Sequence, residues 1–406
     1  MVGGLWKAML ACIALAVGAV VPALADMPPV RVGISAEFGV VGSTSAQAVR
    51  MGAQIAADEV NAAGGVLGGR RIEVVVKDDR SVPARAIRNL REFAADPDVV
   101  AVLCGKYSPV VVEALPEVHR LGLPLLVPWA AADPITEHGF TPDYVFRLSM
   151  RDSWAMRTMA AHALERGVAR VGLLLPNTEW GRSGERAIRR LEVEGQAPRV
   201  VATAWYNWGE ASLLDHYQGI RAAGAELLIL LANEREGALL VREMAALPQA
   251  QRLPVLSHWG ITGGTFVEGT GAALRAVDVA LVQTYSFIGA ADPIARRVVE
   301  AAVRRGVDGE RRIPSPVGVA HAYDLVHILA KAVGAAGSAD RAAVRDALEN
   351  VRDHQGLVAY LERPFAPGRH DALSPEQVFL ARFAPDGAVE RIGERIGERI
   401  LTGRGN

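Results

Sequence analysis

Three tryptophans of this sequence stand directly after short apolar stretches. Trp129 follows LPLLVP, Trp180 follows VGLLLPNTE, and Trp259 follows LPVLSH. Indole rings bind flat or cationic ligands through stacking and cation–π contacts. Because this kind of position recurs in both halves of the chain, the pattern predicts a binding pocket. A second interpretation is that each tryptophan only covers the edge of a sheet.

Polar or small residues follow the other apolar stretches. In open α/β sheets, ligands lie beyond the carboxyl ends of the strands, where a few polar groups fix their orientation. The residues predicted in this way to contact a ligand are Phe38, Tyr107, Ser108, Trp129, Ala130, Ala131, Trp180, Asn233, Glu234 and Trp259.

The sequence contains none of the compact motifs of common enzymes, such as GxSxG, HExxH, GxxxxGK or paired CxxC. The glycines of GGVLGG follow a predicted helix and form a turn, not a phosphate-binding loop. We interpret His321, Asp324 and His327 as polar and core positions of a helix rather than metal ligands. We therefore expect a protein that is not an enzyme and has no cofactor or metal, although a catalytic triad assembled only in space would leave no such motif.

Residues 1–25 have the pattern of a secretion signal. Lys7 supplies a positive charge, an apolar run extends to Val21, and Ala23-Leu24-Ala25 matches the pattern that signal peptidase cleaves. We predict cleavage before Asp26 and a periplasmic location. The alternative is a lipoprotein with its lipid on Cys12, but the apolar run before that cysteine is short. No later stretch is long and apolar enough to cross a membrane.

The charge composition does not indicate a protein that binds nucleic acid. The chain has 44 basic and 45 acidic residues, a formal net charge of −1, whereas nucleic-acid-binding domains carry a clear basic excess. After the predicted cleavage, Cys104 is the only cysteine, so no internal disulfide can form. We predict that Cys104 is a buried structural residue.

Short apolar strands alternate with amphipathic helices along the chain. The first unit contains a predicted strand (VRVGIS), a helix ended by glycine (AQAVRMGAQIAADEVNAAGG) and a second strand (RIEVVVKDD). Ser81 is predicted to cap the next helix. Two series of such units predict an α/β protein with two Rossmann-like lobes, whose parallel sheets are joined by a multi-strand hinge.

The change from one series to the next gives the predicted bounds of the lobes. Lobe one is expected to contain residues 28–148 and about 284–354, and lobe two residues 149–283 and about 355–390. Strands are expected to cross between the lobes near 146–152, 276–286 and 353–360. Residues 391–406 are interpreted as a solvated tail with a repeated Ile-Gly-Glu-Arg unit.

The segment NAAGGVLGGRRIEVVVKDDRS resembles the opening of the leucine/isoleucine/valine-type periplasmic binding proteins, which serve branched-chain amino acid ABC transporters. The resemblance extends to about Ala384. It implies the type I periplasmic binding protein fold. It also implies that Tyr107-Ser108 and Ala130-Ala131 hold a ligand carboxylate with hydroxyls and backbone amides.

Two positions depart from the pattern of that family. The resemblance implies an aromatic residue at position 180, and Trp180 stands there. It also implies that an acid in the turn SHWGI binds the ligand's ammonium, but this chain has Trp259 in that turn. Ala131 stands where a threonine is common. A buried ammonium without a countercharge is unfavourable. Either Glu234 supplies that charge, or the ligand is an aromatic carboxylate, an amide or a cation.

These observations predict an extracytoplasmic solute-binding protein. It would capture an amino-acid-like, aromatic or amide ligand between its lobes and deliver it to an ABC transporter permease in the inner membrane, and we expect it to act as a monomer. The alternative is a ligand-sensing receptor for a membrane signalling protein, and an extracytoplasmic enzyme is a third class. A neighbouring gene for a permease or for a kinase would distinguish the first two.

Overall fold

The computed structural model describes residues 27–393. The predicted secretion signal with Cys12, the cleavage position before Asp26 and most of the predicted tail lie outside these residues. Within them, the strands form two large sheets and one small hairpin.

The first sheet is entirely parallel. Its strands are β1 (Val30–Ala36), β2 (Ile72–Asp78), β3 (Val99–Cys104), β4 (Leu125–Val127) and β5 (Val145–Arg147). They are arranged in the order β2-β1-β3-β4-β5. Every residue of β3, VVAVLC, is buried, as expected for a central strand with helices on both faces of the sheet.

The second sheet is mixed. The remaining strands are β6 (Arg170–Pro176), β7 (Arg199–Tyr206), β8 (Leu227–Leu230), β9 (Val255–Ser257), β10 (Val279–Gln283), β11 (His354–Gln355), β12 (Tyr360–Leu361), β13 (Phe379–Phe383) and β14 (Val389–Arg391). The sheet has the order β14-β13-β10-β9-β8-β6-β7, while β11 and β12 pair separately. Its strands are parallel except that β13 is antiparallel to both β10 and β14. The prediction of parallel sheets is therefore correct for all but this edge.

Helices connect the strands and cover the sheets. They are α1 (Ser45–Ala62), α2 (Pro83–Ala94), α3 (Ser108–Leu121), α4 (Asp152–Glu165), α5 (Glu179–Val193), α6 (Leu214–Ala222), α7 (Glu234–Ala245), α8 (Phe266–Thr270), α9 (Pro293–Val303), α10 (Pro316–Ala336) and α11 (Arg341–Leu348). Helix α10 is buried along most of its length. It packs against α1 so closely that a Cβ at Gly52 would collide with the backbone of Val319.

The chain passes between the sheets after β5, after β10 and before β13. The third passage differs from the predicted crossing strand near 353–360, because β11 and β12 form an antiparallel hairpin there. The chain next runs along the edge of β5, where Arg147 N donates to His370 O and Ala372 N donates to Arg147 O, both at 2.8 Å. The predicted bounds of the two lobes stay a prediction.

The predicted cap of the second helix is wrong. Ser81 has a φ of 61° and lies in the turn before the helix. Its N–H donates to Asp79 Oδ1 at 2.8 Å. Helix α2 begins at Pro83 with Val82 as its N-cap, because proline fixes the φ angle that the first helical position requires.

The largest hydrophobic core runs without interruption from the first sheet to the second. It includes Ile34 in β1, Val319 in α10, Leu173 in β6 and Leu256 in β9. The two lobes are therefore in contact through buried side chains. Among the described residues, no helix is both long enough and apolar enough to span a membrane.

Candidate functional site

Loops from both sheets line a narrow cavity of about 10 Å³, about the space of one water molecule. They follow β3 and β4 in the first sheet and β7, β8 and β9 in the second, and the start of α5 completes the wall. The residues that line the cavity are Lys106, Tyr107, Ser108, Trp129, Ala131, Trp180, Trp208, Asn233, Trp259 and Gly260. All of these except Lys106, Trp208 and Gly260 were predicted from the sequence.

The other three predicted residues are not on the wall of this cavity. Phe38 is partly exposed, with the guanidinium of Arg50 6.0 Å from its ring centroid. Ala130 is fully buried behind the wall, and its carbonyl accepts from Ser149 Oγ at 2.8 Å. Glu234 lies beside the cavity in an ion pair. For all ten residues, a role in ligand binding stays a prediction.

Ser108 places a hydroxyl at the amino end of α3. The side-chain Oγ accepts from the backbone N–H groups of Ala131 and Ala132 at 3.1 and 3.2 Å. The first N–H groups of a helix have no partner within it and attract anions. This corner of the cavity therefore presents a hydroxyl fixed by loop amides and a helix amino end, a set that suits a carboxylate.

Trp129 and Trp259 fill the middle of the cleft. Both are 1% exposed, and their ring centroids are 5.9 Å apart at an interplanar angle of 54°. Gly318 in α10 makes room for Trp129, because a Cβ there would lie 2.8 Å from the indole. The two rings therefore pack against each other from the two lobes, and both line the cavity.

Trp180 is held in place by a buried acid that the sequence did not single out. Its Nε1 donates to Asp152 Oδ1 at 3.1 Å, and His258 Nε2 lies 3.2 Å from the same oxygen. Asp152 and His258 are fully buried. Gly260 allows the close approach of Trp180, because a Cβ there would lie 2.7 Å from the indole. The indole face is therefore fixed before a ligand arrives.

Lys106 and Glu234 form a buried ion pair between the two lobes. The Nζ–Oε2 distance is 2.6 Å, with 1% and 7% of the two side chains exposed. Lys106 Nζ also donates to Gly263 O at 3.3 Å. Burial raises the pKa of Tyr107, and the Glu234 charge raises it further, so the Tyr107 hydroxyl stays protonated. The sequence placed Lys106 at a strand end but did not predict its role.

The helical histidines have separate partners, which agrees with their interpretation as polar and core positions. His321 is fully buried, and burial lowers its pKa to about 4. Its Nδ1 lies 2.6 Å from Pro128 O. Asp324 accepts from two backbone N–H groups in the turn after β11. His327 Nε2 lies 3.2 Å from Glu59 Oε2.

Cys104 is free and buried at the end of β3, as predicted. Burial raises the pKa of its thiol, and the nearby carboxylate of Asp79 adds to this effect. The thiol is therefore protonated and unreactive near neutral pH.

The comparison with known families decides the identity of this fold. The model of the periplasmic binding protein family matches residues 29–383. The chain belongs to the periplasmic binding protein family. Family members bind solutes and do not transform them, which confirms the prediction that this binding protein is not an enzyme. Membership also supports an extracytoplasmic location, while cleavage before Asp26 stays a prediction.

Individual relatives of this binding protein are distant. The Leu/Ile/Val-binding protein homolog 1 of Brucella abortus is 25% identical over 303 residues, which cover 74% of this chain and 77% of the relative. The branched-chain amino acid transporter substrate binding protein LivJ from Streptococcus pneumoniae, solved with isoleucine, has a TM-score of 0.75 at 22% identity, covering 89% of this chain and 98% of LivJ.

A second solved structure has a ligand of another kind. It is the solute binding protein of an ABC transporter from Rhodopseudomonas palustris BisB5 in complex with 3,4-dihydroxybenzoic acid. It has a TM-score of 0.69 at 16% identity and covers 89% of this chain and 95% of its own. The structural similarities confirm the predicted type I fold.

Proposed function

We propose that this periplasmic binding protein captures a small ligand between its lobes, as a monomer, and delivers it to the permease of an ABC transporter in the inner membrane. The family match and the cavity between the two sheets support this role. The names of the similar proteins, which serve branched-chain amino acid and other ABC transporters, support the transporter as partner.

We further propose that the ligand is an aromatic carboxylate, and one observation carries this choice. No carboxylate is among the residues that line the cavity within the described chain. The acid at its edge, Glu234, is already neutralised by Lys106. An α-ammonium would have to break this pair, and breaking a buried pair costs about 3–5 kcal/mol. A carboxylic acid without an ammonium group would leave the pair between Lys106 and Glu234 intact.

The wall of the cavity suits the two ends of such a ligand. The Ser108 hydroxyl, whose oxygen is held by the amides of Ala131 and Ala132, and the amino end of α3 would hold the carboxylate. Trp129 and Trp259 would stack on the ring, and aromatic contacts contribute about 0.5–1.5 kcal/mol each beyond the burial of area. The two similar structures that contain a ligand differ in whether that ligand carries an ammonium group. Isoleucine has one, and 3,4-dihydroxybenzoic acid has none.

Mass spectrometry of the small molecules released on denaturation tests the ligand directly. Protein purified from the periplasmic fraction should release an aromatic acid, and Trp259→Ala protein should release much less. Release of leucine, isoleucine or valine would contradict the proposed ligand class. Deletion of the gene should abolish uptake of the released compound. Intact uptake with a lost transcriptional response would contradict the transport role in favour of sensing.

A further inference from the structure

Two histidines and an aspartate meet at the edge of the first sheet that lies away from the cleft. His119 is in the last turn of α3, and His138 and Asp143 are in the loop before β5. One ligand atom from each of them lies within 4.8 Å of the other two. The ligand cavity is at the opposite edge, where the strands of this sheet end.

The distances within this cluster match a metal site better than a set of hydrogen bonds. His119 Nε2 and His138 Nε2 lie 3.4 and 3.3 Å from Asp143 Oδ1. Charge-assisted N–H···O bonds are shorter, about 2.7–2.9 Å. In a tetrahedral zinc site with bonds of about 2.0–2.2 Å, neighbouring ligand atoms are separated by roughly 3.3–3.5 Å. The two nitrogens are therefore as far from the oxygen as tetrahedral ligand atoms are from one another, and all three atoms lie within 4.8 Å of one another.

One ring nitrogen of His119 is held as it would be in a metal ligand. Its Nδ1 lies 2.8 Å from Leu115 O, so the Nδ1–H donates to this carbonyl. A second hydrogen bond of this kind is the usual support of a metal-bound histidine. The Nε2 of His119 accepts from Tyr144 N–H at 3.3 Å, and this contact has to be released for Nε2 to bind a metal. Phe140 stacks on the ring at a centroid distance of 4.3 Å and an angle of 14°, which limits its rotation.

His138 supplies an independent indication. Its side chain is 7% exposed, and its Nε2 is a buried atom without a hydrogen-bond partner of acceptable geometry. Buried polar atoms are rarely left without a partner unless an ion or water satisfies them. His138 Nδ1 accepts weakly from Phe140 N–H at 3.2 Å in the exposed loop. This contact has to be released so that the proton can move to Nδ1 and Nε2 can bind a metal.

The carboxylate of Asp143 is supported from its other side. Asp143 Oδ2 lies 3.0 Å from His370 Nδ1, and Oδ1 accepts from Val145 N–H at 2.8 Å. Such outer contacts orient a ligating carboxylate. They also connect the cluster to the start of β5.

We propose that His119, His138 and Asp143 form a binding site for a divalent transition-metal ion of the zinc class, with water in the fourth position. Nitrogen and carboxylate ligands of this number are typical of zinc sites that keep one position open. The ion would fasten the loop before β5 to the end of α3. This site is separate from the ligand cavity and does not depend on the proposed transport function.

Zinc titration of the chelator-treated mature protein tests the site. We expect one ion per chain, with affinity measured by competition against a chromophoric chelator. His138→Gln should weaken binding at least about tenfold, since even supporting residues contribute 10–100-fold to metal affinity. His216→Gln is the matched control, because His216 pairs only with Glu210 on the surface of the other lobe, and it should leave binding unchanged.

Two further measurements keep the test decisive if a variant is unstable. Co²⁺ bound to the wild-type protein should give the intense visible absorption of tetrahedral coordination, and zinc should raise the melting temperature of the wild type but not of His138→Gln. Absence of saturable zinc binding, equal affinity in His138→Gln, or a weak octahedral cobalt spectrum would each overturn the proposal.

Discussion

Lys106 Nζ and Glu234 Oε2 lie 2.6 Å apart across the cleft and connect the loop after β3 to the first residue of α7. The pair joins the lobes at the wall of the cavity. It is almost completely excluded from water, so each charge depends on the other. It therefore couples closure of the lobes to the electrostatics of the binding site.

Loss of one partner of this pair should favour the open form. In Glu234→Gln the Lys106 ammonium would be buried without a countercharge on closure, which costs about 3–5 kcal/mol. Small-angle scattering should show a larger radius of gyration for the unliganded variant than for the wild type. Saturating ligand should compact the wild type, because a ligand shifts the balance towards the state it prefers.

The double variant Lys106→Met/Glu234→Gln is the control for that experiment. It removes both charges, so its radius should return towards that of the wild type. Equal radii for the wild type and Glu234→Gln would show that the pair does not hold the lobes together.

Asp79 should make the stability of the protein depend on pH. Burial is the main cause that raises the pKa of Asp79 from 3.8 to about 7, and the charge of Glu37 contributes. Because the folded-state pKa is raised, the folded protein binds the proton more tightly than the unfolded chain. The stabilisation is complete below about pH 4 and is lost as the pH rises to about 7.

Urea unfolding of the wild type and of Asp79→Asn measures this effect. Asparagine carries no charge, so the variant should gain stability relative to the wild type between about pH 5 and about pH 8, by an amount on the order of 2 kcal/mol. If the two proteins differ in their free energy of unfolding by the same amount at about pH 5 and at about pH 8, the pKa of Asp79 is not raised.

Cys104 should resist thiol reagents in the folded protein. Its side chain is buried and its thiol pKa is raised. We expect labelling only after unfolding, and then at one thiol per mature chain. Rapid labelling of the native protein that ligand prevents would place this thiol at the mouth of the cleft instead.

The amino terminus of the secreted protein should be Asp26. Sequencing of protein from the periplasmic fraction checks the cleavage pattern Ala23-Leu24-Ala25. A chain that retains Met1 would refute secretion by this signal, and a lipid on Cys12 would support the lipoprotein alternative.

The order of strands and helices could be predicted because each element carries its own pattern. VVAVLC is apolar at every position and forms a fully buried strand. Trp180 and Trp259 could be predicted to lie close together for a related reason, since β6 and β9 are parallel strands of one sheet and end at the same edge. The prediction that Ser81 caps a helix is wrong for a local reason, because Pro83 and the Asp79 carboxylate determine the start of α2.

Contacts between distant side chains could not be predicted in the same way. Lys106 and Glu234 are 128 positions apart and belong to different lobes. His119, His138 and Asp143 come from a helix and a loop, with spacing that matches no compact metal motif. Such pairs depend on how the lobes and loops pack, and a single sequence carries no periodic signal for that packing.

Titration with ligands of the two classes tests the central claim most directly. Tryptophan fluorescence of the ligand-free protein would be followed during addition of 3,4-dihydroxybenzoate and, separately, of leucine. We predict saturable binding of the aromatic acid that Trp259→Ala reduces at least about tenfold, while Trp154→Ala, outside the cavity, has no effect. Micromolar binding of leucine that survives in Glu234→Gln, with no binding of the aromatic acid, would contradict this account.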